Sequence, residues 1–138
     1  MTPTFVDTSF LLALLLSDDE LHGRAVAWQR AANGPLLTTE YVLVELADAL
    51  VAQHLRSSAM HAISALRNDP AAWVEPASTA LLDRGLALFA ERQDKRWSLT
   101  DCVSFVVMHD AGVRDALTAD HHFEQAGFRA LLRQEPPT

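Results

Sequence analysis

The sequence predicts an α/β fold, with helices on the faces of a central, mostly parallel sheet of four to five strands. Three observations lead there. Short β-like runs alternate with longer helical ones along the whole chain, the pattern left by parallel strands joined through helices. The strand candidates are only a few residues long, as strands buried in a parallel sheet can be. And 138 residues, 49% of them hydrophobic and 21% charged, make one ordinary domain with one sizeable core.

In chain order, the first strand is Thr4 to Asp7, followed by a helix over Ser9 to Leu16. Ser17 and Glu20 are spaced as a capping box, so a second helix is expected over Asp18 to Ala32, with Asp18, Asp19 and Glu20 as first-turn charges and Asn33-Gly34 as its stop. A second strand, Pro35 to Thr38, leads into helices over Glu40 to His54 and Ser57 to Arg67. Trp73 to Glu75 is the third strand, followed by helices over Thr79 to Asp94 and Leu99 to Ala111, the latter closed by Gly112. Ala116 to Thr118 forms a fourth strand, His121 to Ala126 a short helix, and Phe128 to Leu132 a fifth, weaker strand. No repeat or linker interrupts residues 1–138, so a single domain is expected, with its core over about 4–132 and a flexible tail at 133–138.

The Glu40 to His54 segment is apolar around most of its circumference, through Val42, Leu43, Val44, Leu46, Ala47, Ala49, Leu50 and Val51. Such a helix needs cover on more than one side. In so small a domain a second copy of the chain can supply it, so a homodimer is expected.

Composition excludes several classes. No run approaches the roughly 18 apolar residues of a membrane span, and the N-terminal Met1-Thr2-Pro3-Thr4 lacks the basic stretch of a secretory signal, so a cytoplasmic protein is expected. Cys102 stands alone in an apolar helix, which rules out an internal disulfide and marks a core residue rather than a nucleophile. Six histidines form no His-Glu-x-x-His run, and the adjacent His121-His122 are expected to point apart, which argues against zinc. Trp28, Trp73 and Trp97 are expected in or half in the core. The net charge of −7 opposes casual binding to a polyanion.

Against that background four carboxylates stand out. Asp7 closes the strand Phe5-Val6, Glu45 interrupts the apolar helix, Asp101 opens Cys102-Val103, and Asp120 ends Leu117-Thr118-Ala119. Each of three has an ordinary structural reading: Asp7 as a turn residue, Asp101 as the partner of Ser98 in a capping box, Asp120 as the cap of the helix from His121. Glu45 serves no helix end. An ionised carboxylate taken out of water is costly unless paired or metal-bound, and no basic residue stands beside any of the four. Asp7 and Asp120 follow strands, and in open α/β sheets ligands bind beyond the carboxyl ends of the strands. Like charges about 4 Å apart repel by about 4 kcal/mol at an effective dielectric of 20, so a convergent set calls for a cation. Oxygen ligands suit Mg²⁺ or Mn²⁺, which can bind a phosphate oxygen and lower the pKa of water.

The stretches Phe5-Val6-Asp7-Thr8-Ser9, Thr38-Thr39-Glu40-Tyr41-Val42-Leu43-Val44-Glu45, Ser98-Leu99-Thr100-Asp101 and Leu117-Thr118-Ala119-Asp120-His121-His122-Phe123 resemble, in order, the signature blocks of PIN-domain ribonucleases. The compact form is similar to VapC-type toxins of bacterial toxin–antitoxin pairs. The resemblance implies a three-layer α/β/α fold and Mg²⁺- or Mn²⁺-dependent endoribonuclease activity. It also implies catalytic and metal-binding roles for Asp7, Glu45, Asp101 and Asp120, and places Thr8 or Ser9 where it orients a water or a carboxylate. It implies as partners an RNA substrate, such as tRNA or ribosomal RNA, and a VapB-like antitoxin. Arg92, Lys95, Arg96 and Trp97 form a basic-aromatic stretch that is the best candidate for an RNA contact, against the plainer reading of a solvated helix end. Two other functions stay open: a catalytically silent PIN-like module that binds protein partners, and phosphoryl transfer through an aspartyl-phosphate. The latter usually wants a Lys at the end of a later strand, and the only Lys is Lys95.

Overall fold

The computed structural model describes residues 2–138. Its sheet has five strands: β1 (Thr4–Val6), β2 (Leu36–Thr39), β3 (Ala72–Glu75), β4 (Asp115–Leu117) and β5 (Arg129–Ala130). They lie in the order β3-β2-β1-β4-β5, and every pairing is parallel. Around the sheet run α1 (Thr8–Leu15), α2 (His22–Ala31), α3 (Glu40–Ala49), α4 (Gln53–Asn68), α5 (Thr79–Glu91), α6 (Leu99–Ala111) and α7 (His121–Gln125), followed by a 3₁₀ turn at Leu131–Arg133. The chain steps one way from β1 to β3, then crosses back to β4. With right-handed crossovers this puts helices on both faces, a three-layer α/β/α arrangement.

The central strands are buried because both faces are covered: Phe5, Val6, Leu37, Ala116 and Leu117 all lie in the core. Phe105 meets Phe123 and Trp97 edge-on, with ring centroids 4.9 and 5.0 Å apart, and so ties α6 and α7 together. Helix α6 ends at Gly112, whose φ of 67° is the left-handed conformation a glycine accepts most readily.

Three expectations need correction. The Ser17–Glu20 capping box does not form: Asp19 Oδ1 accepts from the Leu21 amide at 2.8 Å, a local turn, and α2 starts at His22. His22 Nδ1 donates to the Ala13 carbonyl at 2.9 Å and fixes that start against α1. The single helix expected over Glu40 to His54 is broken after Ala49, where Leu50 turns its side chain into the core, and α4 begins at Gln53. Trp73 is 61% exposed, because β3 is an edge strand with one side outward; its indole donates to Glu75. At the C-terminal end the Trp28 indole donates to the Gln134 carbonyl at 3.0 Å, and Arg24 pairs with Glu135. Among the described residues no helix is long and apolar enough to cross a membrane.

Candidate active site

Strands β1 and β4 are neighbours, and the direction of travel across the sheet reverses between them, which is where open α/β sheets bind ligands. Asp7 leaves β1 at this point, its amide bonded to the Leu117 carbonyl at 3.1 Å. It also caps α1. Asp7 Oδ2 accepts from the Ser9 amide at 3.4 Å, the Ser9 hydroxyl at 2.9 Å and the Thr118 hydroxyl at 2.8 Å. The side chain is buried, and burial pushes its pKa up to about 6; the hydroxyls of Thr118 and Ser9 pull it down, and the charges of Asp101 and Glu45 add to the rise.

Asp101 occupies the first turn of α6 in a complete capping box. Its amide donates to Ser98 Oγ at 3.0 Å, and its Oδ2 accepts from the Ser98 amide at 3.1 Å. Burial raises its pKa as well, against the Ser98 amide and His122, while Asp120 and Glu45 push the same way as burial. Asp120 caps α7 by accepting from the His122 amide at 2.9 Å, and its own amide donates to Thr118 Oγ1 at 3.0 Å. Glu45 comes from α3, half-exposed and away from either helix end. The structural reading of the three aspartates therefore holds: each takes part in starting a helix.

All four acids line one open cleft of about 360 Å³, together with Thr8, Ser9, Ser98, Arg96 and His122. The remaining members of the basic-aromatic stretch are arranged differently. Trp97 is buried, its indole bonded to Gln125 at 3.0 Å, so a base cannot stack on it there. Arg92 lies over the outer side of that ring, 5.1 Å from its centroid, and pairs with Asp94. Among the described residues neither Lys95 nor Arg96 is in an ion pair, and Arg96 faces the acids across the cleft.

Two residues of the site went unread in the sequence. Thr118 is the hub of the floor, bonding Asp7, Ser9 and the Asp120 amide; a hydroxyl residue two positions before an acid at a strand end was the available signal. His122 was set aside on the expectation that adjacent histidines diverge. Instead the two rings lie 4.4 Å apart, and donor atoms of Asp120, His121 and His122 fall within 4.8 Å of one another. Cys102 behaves as expected: it is buried, and burial pushes its thiol up to about 11.

A divalent cation fits these residues. Buried polar atoms are nearly always hydrogen-bonded, yet Thr8 Oγ1 and His122 Nδ1 are buried without a partner, and both residues line the cleft. Carboxylates pushed towards protonation by burial and by one another are the donor set that an ion relieves.

Known proteins match the chain over most of its length. A family model described as PIN domain matches residues 4–129. The "23S rRNA-specific endonuclease VapC20" of Mycobacterium tuberculosis, in each of two strains, is 30% identical over 124 residues, covering 90% of this chain and 94% of its own length. The crystal structure of VapC20 from the same organism, described as a sarcin-ricin loop cleaving toxin, matches with a TM-score of 0.85 at 28% identity, over 93% of this chain and 98% of that one. With all four acids inside the matched span and gathered at one sheet edge, the chain belongs to the PIN-domain family and, within it, to the VapC-type proteins.

Proposed function

We propose that this protein is a divalent-metal-dependent endoribonuclease toxin that hydrolyses a phosphodiester of 23S ribosomal RNA in the cytoplasm. The observation that carries the reading is the meeting of Asp7, Glu45, Asp101 and Asp120, from four separate elements, in one cleft at the switch point of the sheet. Bound among them, Mg²⁺ or Mn²⁺ supplies charge neutralisation for the phosphodiester and lowers the pKa of water. Asp7 is held in one orientation by Ser9 and Thr118, so its carboxylate is preorganised rather than recruited. Thr8, with its hydroxyl free, is placed to orient a water molecule. Arg96, which lines the cleft, meets the phosphate entering from solvent and offsets locally a net charge of −7. The ribosomal substrate is taken from the activity named for the matched VapC20.

Two partners belong to the same reading. An antitoxin that places a cationic side chain in the acidic cleft would hold the enzyme silent. A homodimer would cover Val44 and Val51 beside Met60, which are 59%, 56% and 61% exposed on and around α3 and α4.

The test is incubation of purified protein with 23S rRNA and Mn²⁺. Discrete cleavage that is lost with EDTA or in Asp7→Asn, with the circular dichroism unchanged, is the expected result. Cleavage that survives both changes overturns the assignment. A protein that binds Mn²⁺ in calorimetry but cuts no RNA points to the silent binding module instead. The aspartyl-phosphate route lacks support, since Arg96 rather than the lone Lys95 lines the cleft.

A further inference from the structure

His122 is a nitrogen donor packed among the carboxylates, more buried than its neighbour His121. Its Nδ1 lies 3.1 Å from Asp120 Oδ1 and 3.4 Å from Asp101 Oδ2. Neither contact has hydrogen-bond geometry, and the atom is buried with no other partner. The imidazole nitrogen is thus flanked by an oxygen of each of two carboxylates without a hydrogen bond to either. Bonds of about 2.1 Å to a six-coordinate ion put neighbouring donor atoms about 3.0 Å apart, by the geometry of an octahedron. The His122–Asp120 separation has that value, and the His122–Asp101 separation is close to it. Oxygen-only sites suit Mg²⁺, whereas imidazole favours transition metals.

We propose that His122 is a direct nitrogen ligand of the ion shared by Asp101 and Asp120, and that it makes the cleft prefer Mn²⁺ over Mg²⁺. This rests on the reading of the cleft as a cation site and decides which cation it takes. His121 is the more exposed neighbour, its Nδ1 3.8 Å from Asp120 Oδ1 and facing solvent over half its side chain. It serves as the internal control.

The experiment uses the intact protein and Mn²⁺ alone. Electron spin-echo modulation of the Mn²⁺ complex is expected to show coupling to ¹⁴N in wild type and in His121→Gln, and to lose it in His122→Gln. Calorimetric titration is expected to show Mn²⁺ binding weakened at least about tenfold by His122→Gln, with Mg²⁺ affinity changed less than about threefold. Mn²⁺ bound in wild type without ¹⁴N coupling, coupling lost only in His121→Gln, or equal losses for both ions overturns the proposal and leaves the cation site standing. No Mn²⁺ binding by wild type overturns both. Because the spectroscopic signature is read on wild type, the proposal remains testable if His122→Gln does not fold.

Discussion

The floor of the cleft and its α3 wall each present a carboxylate to the same space, under opposite constraints. On the floor, Asp7 is buried and gripped by two hydroxyls, at the junction of two neighbouring strands. On the wall, Glu45 stands half-exposed on a helix flank and takes part in none of those bonds. The floor stores electrostatic cost in exchange for fixed geometry; the wall carries its carboxylate half-exposed to solvent.

Asp7→Asn breaks the floor and carries the largest expected effect. RNA cleavage in Mn²⁺ should fall by at least about 10³-fold, because an oriented charge in a sheltered site is worth several kcal/mol. The metal-free fold should change in the opposite sense. Asp7 is protonated in both folded and unfolded chains below about pH 4; as pH rises the unfolded chain ionises first, and the folded one only through about 6. The stability Asp7 contributes at low pH is thus lost across that window. Asp7→Asn should gain on wild type between pH 4 and 6 by about 1–3 kcal/mol and stay level above it. Urea melts of metal-free protein at pH 4, 5, 6 and 8 read this directly; parallel curves at all four values would refute it.

Glu45→Gln is the matching change on the wall. Cleavage should drop by about 10–100-fold, while metal-free protein gains far less than Asp7→Asn across the same pH window, because the Glu45 charge is the smallest of the causes that raise the Asp7 carboxyl. If it reproduced the pH-dependent gain of Asp7→Asn, the contrast between floor and wall would collapse.

Thr118→Val sharpens the picture from the side of the grip. It strips a buried hydroxyl from Asp7 and from the Asp120 amide and should cost about 1–3 kcal/mol in denaturant unfolding. It should also push the Asp7 carboxyl higher still, readable as a shift of its ¹³C resonance with pH. Ser98→Ala is the mildest of the set. It removes the N-cap of α6 for about 1 kcal/mol but leaves the Ser98 amide to hold Asp101, so Mn²⁺ affinity should hardly move.

Legibility in the sequence followed how local each cause was. The alternation of elements, the parallel sheet and the helix stop at Gly112 are short-range patterns, and the structure has them. Asp7 and Asp120 stood out because a helix start after a strand is a local signal, Asp101 because it pairs with Ser98 in a capping box, and Glu45 because a charge in an apolar helix flank has no local purpose. The split of α3 from α4 was not, since Leu50-Val51-Ala52 contains no breaker; the bend comes from burying Leu50, a tertiary effect. The Ser17–Glu20 spacing misled because Asp19 satisfies the chain locally first. His122 was missed because rotamers, not sequence adjacency, decide whether two rings converge.

One bond has a consequence for synthesis. Thr118 reaches Asp7 across a sequence separation of 111 residues, and the strand beside Asp7 is the fourth of five. A nascent chain emerging from the ribosome carries its first acid long before the partner strand that fixes it. The four acids come together in one cleft only once β4 has been made and paired with β1.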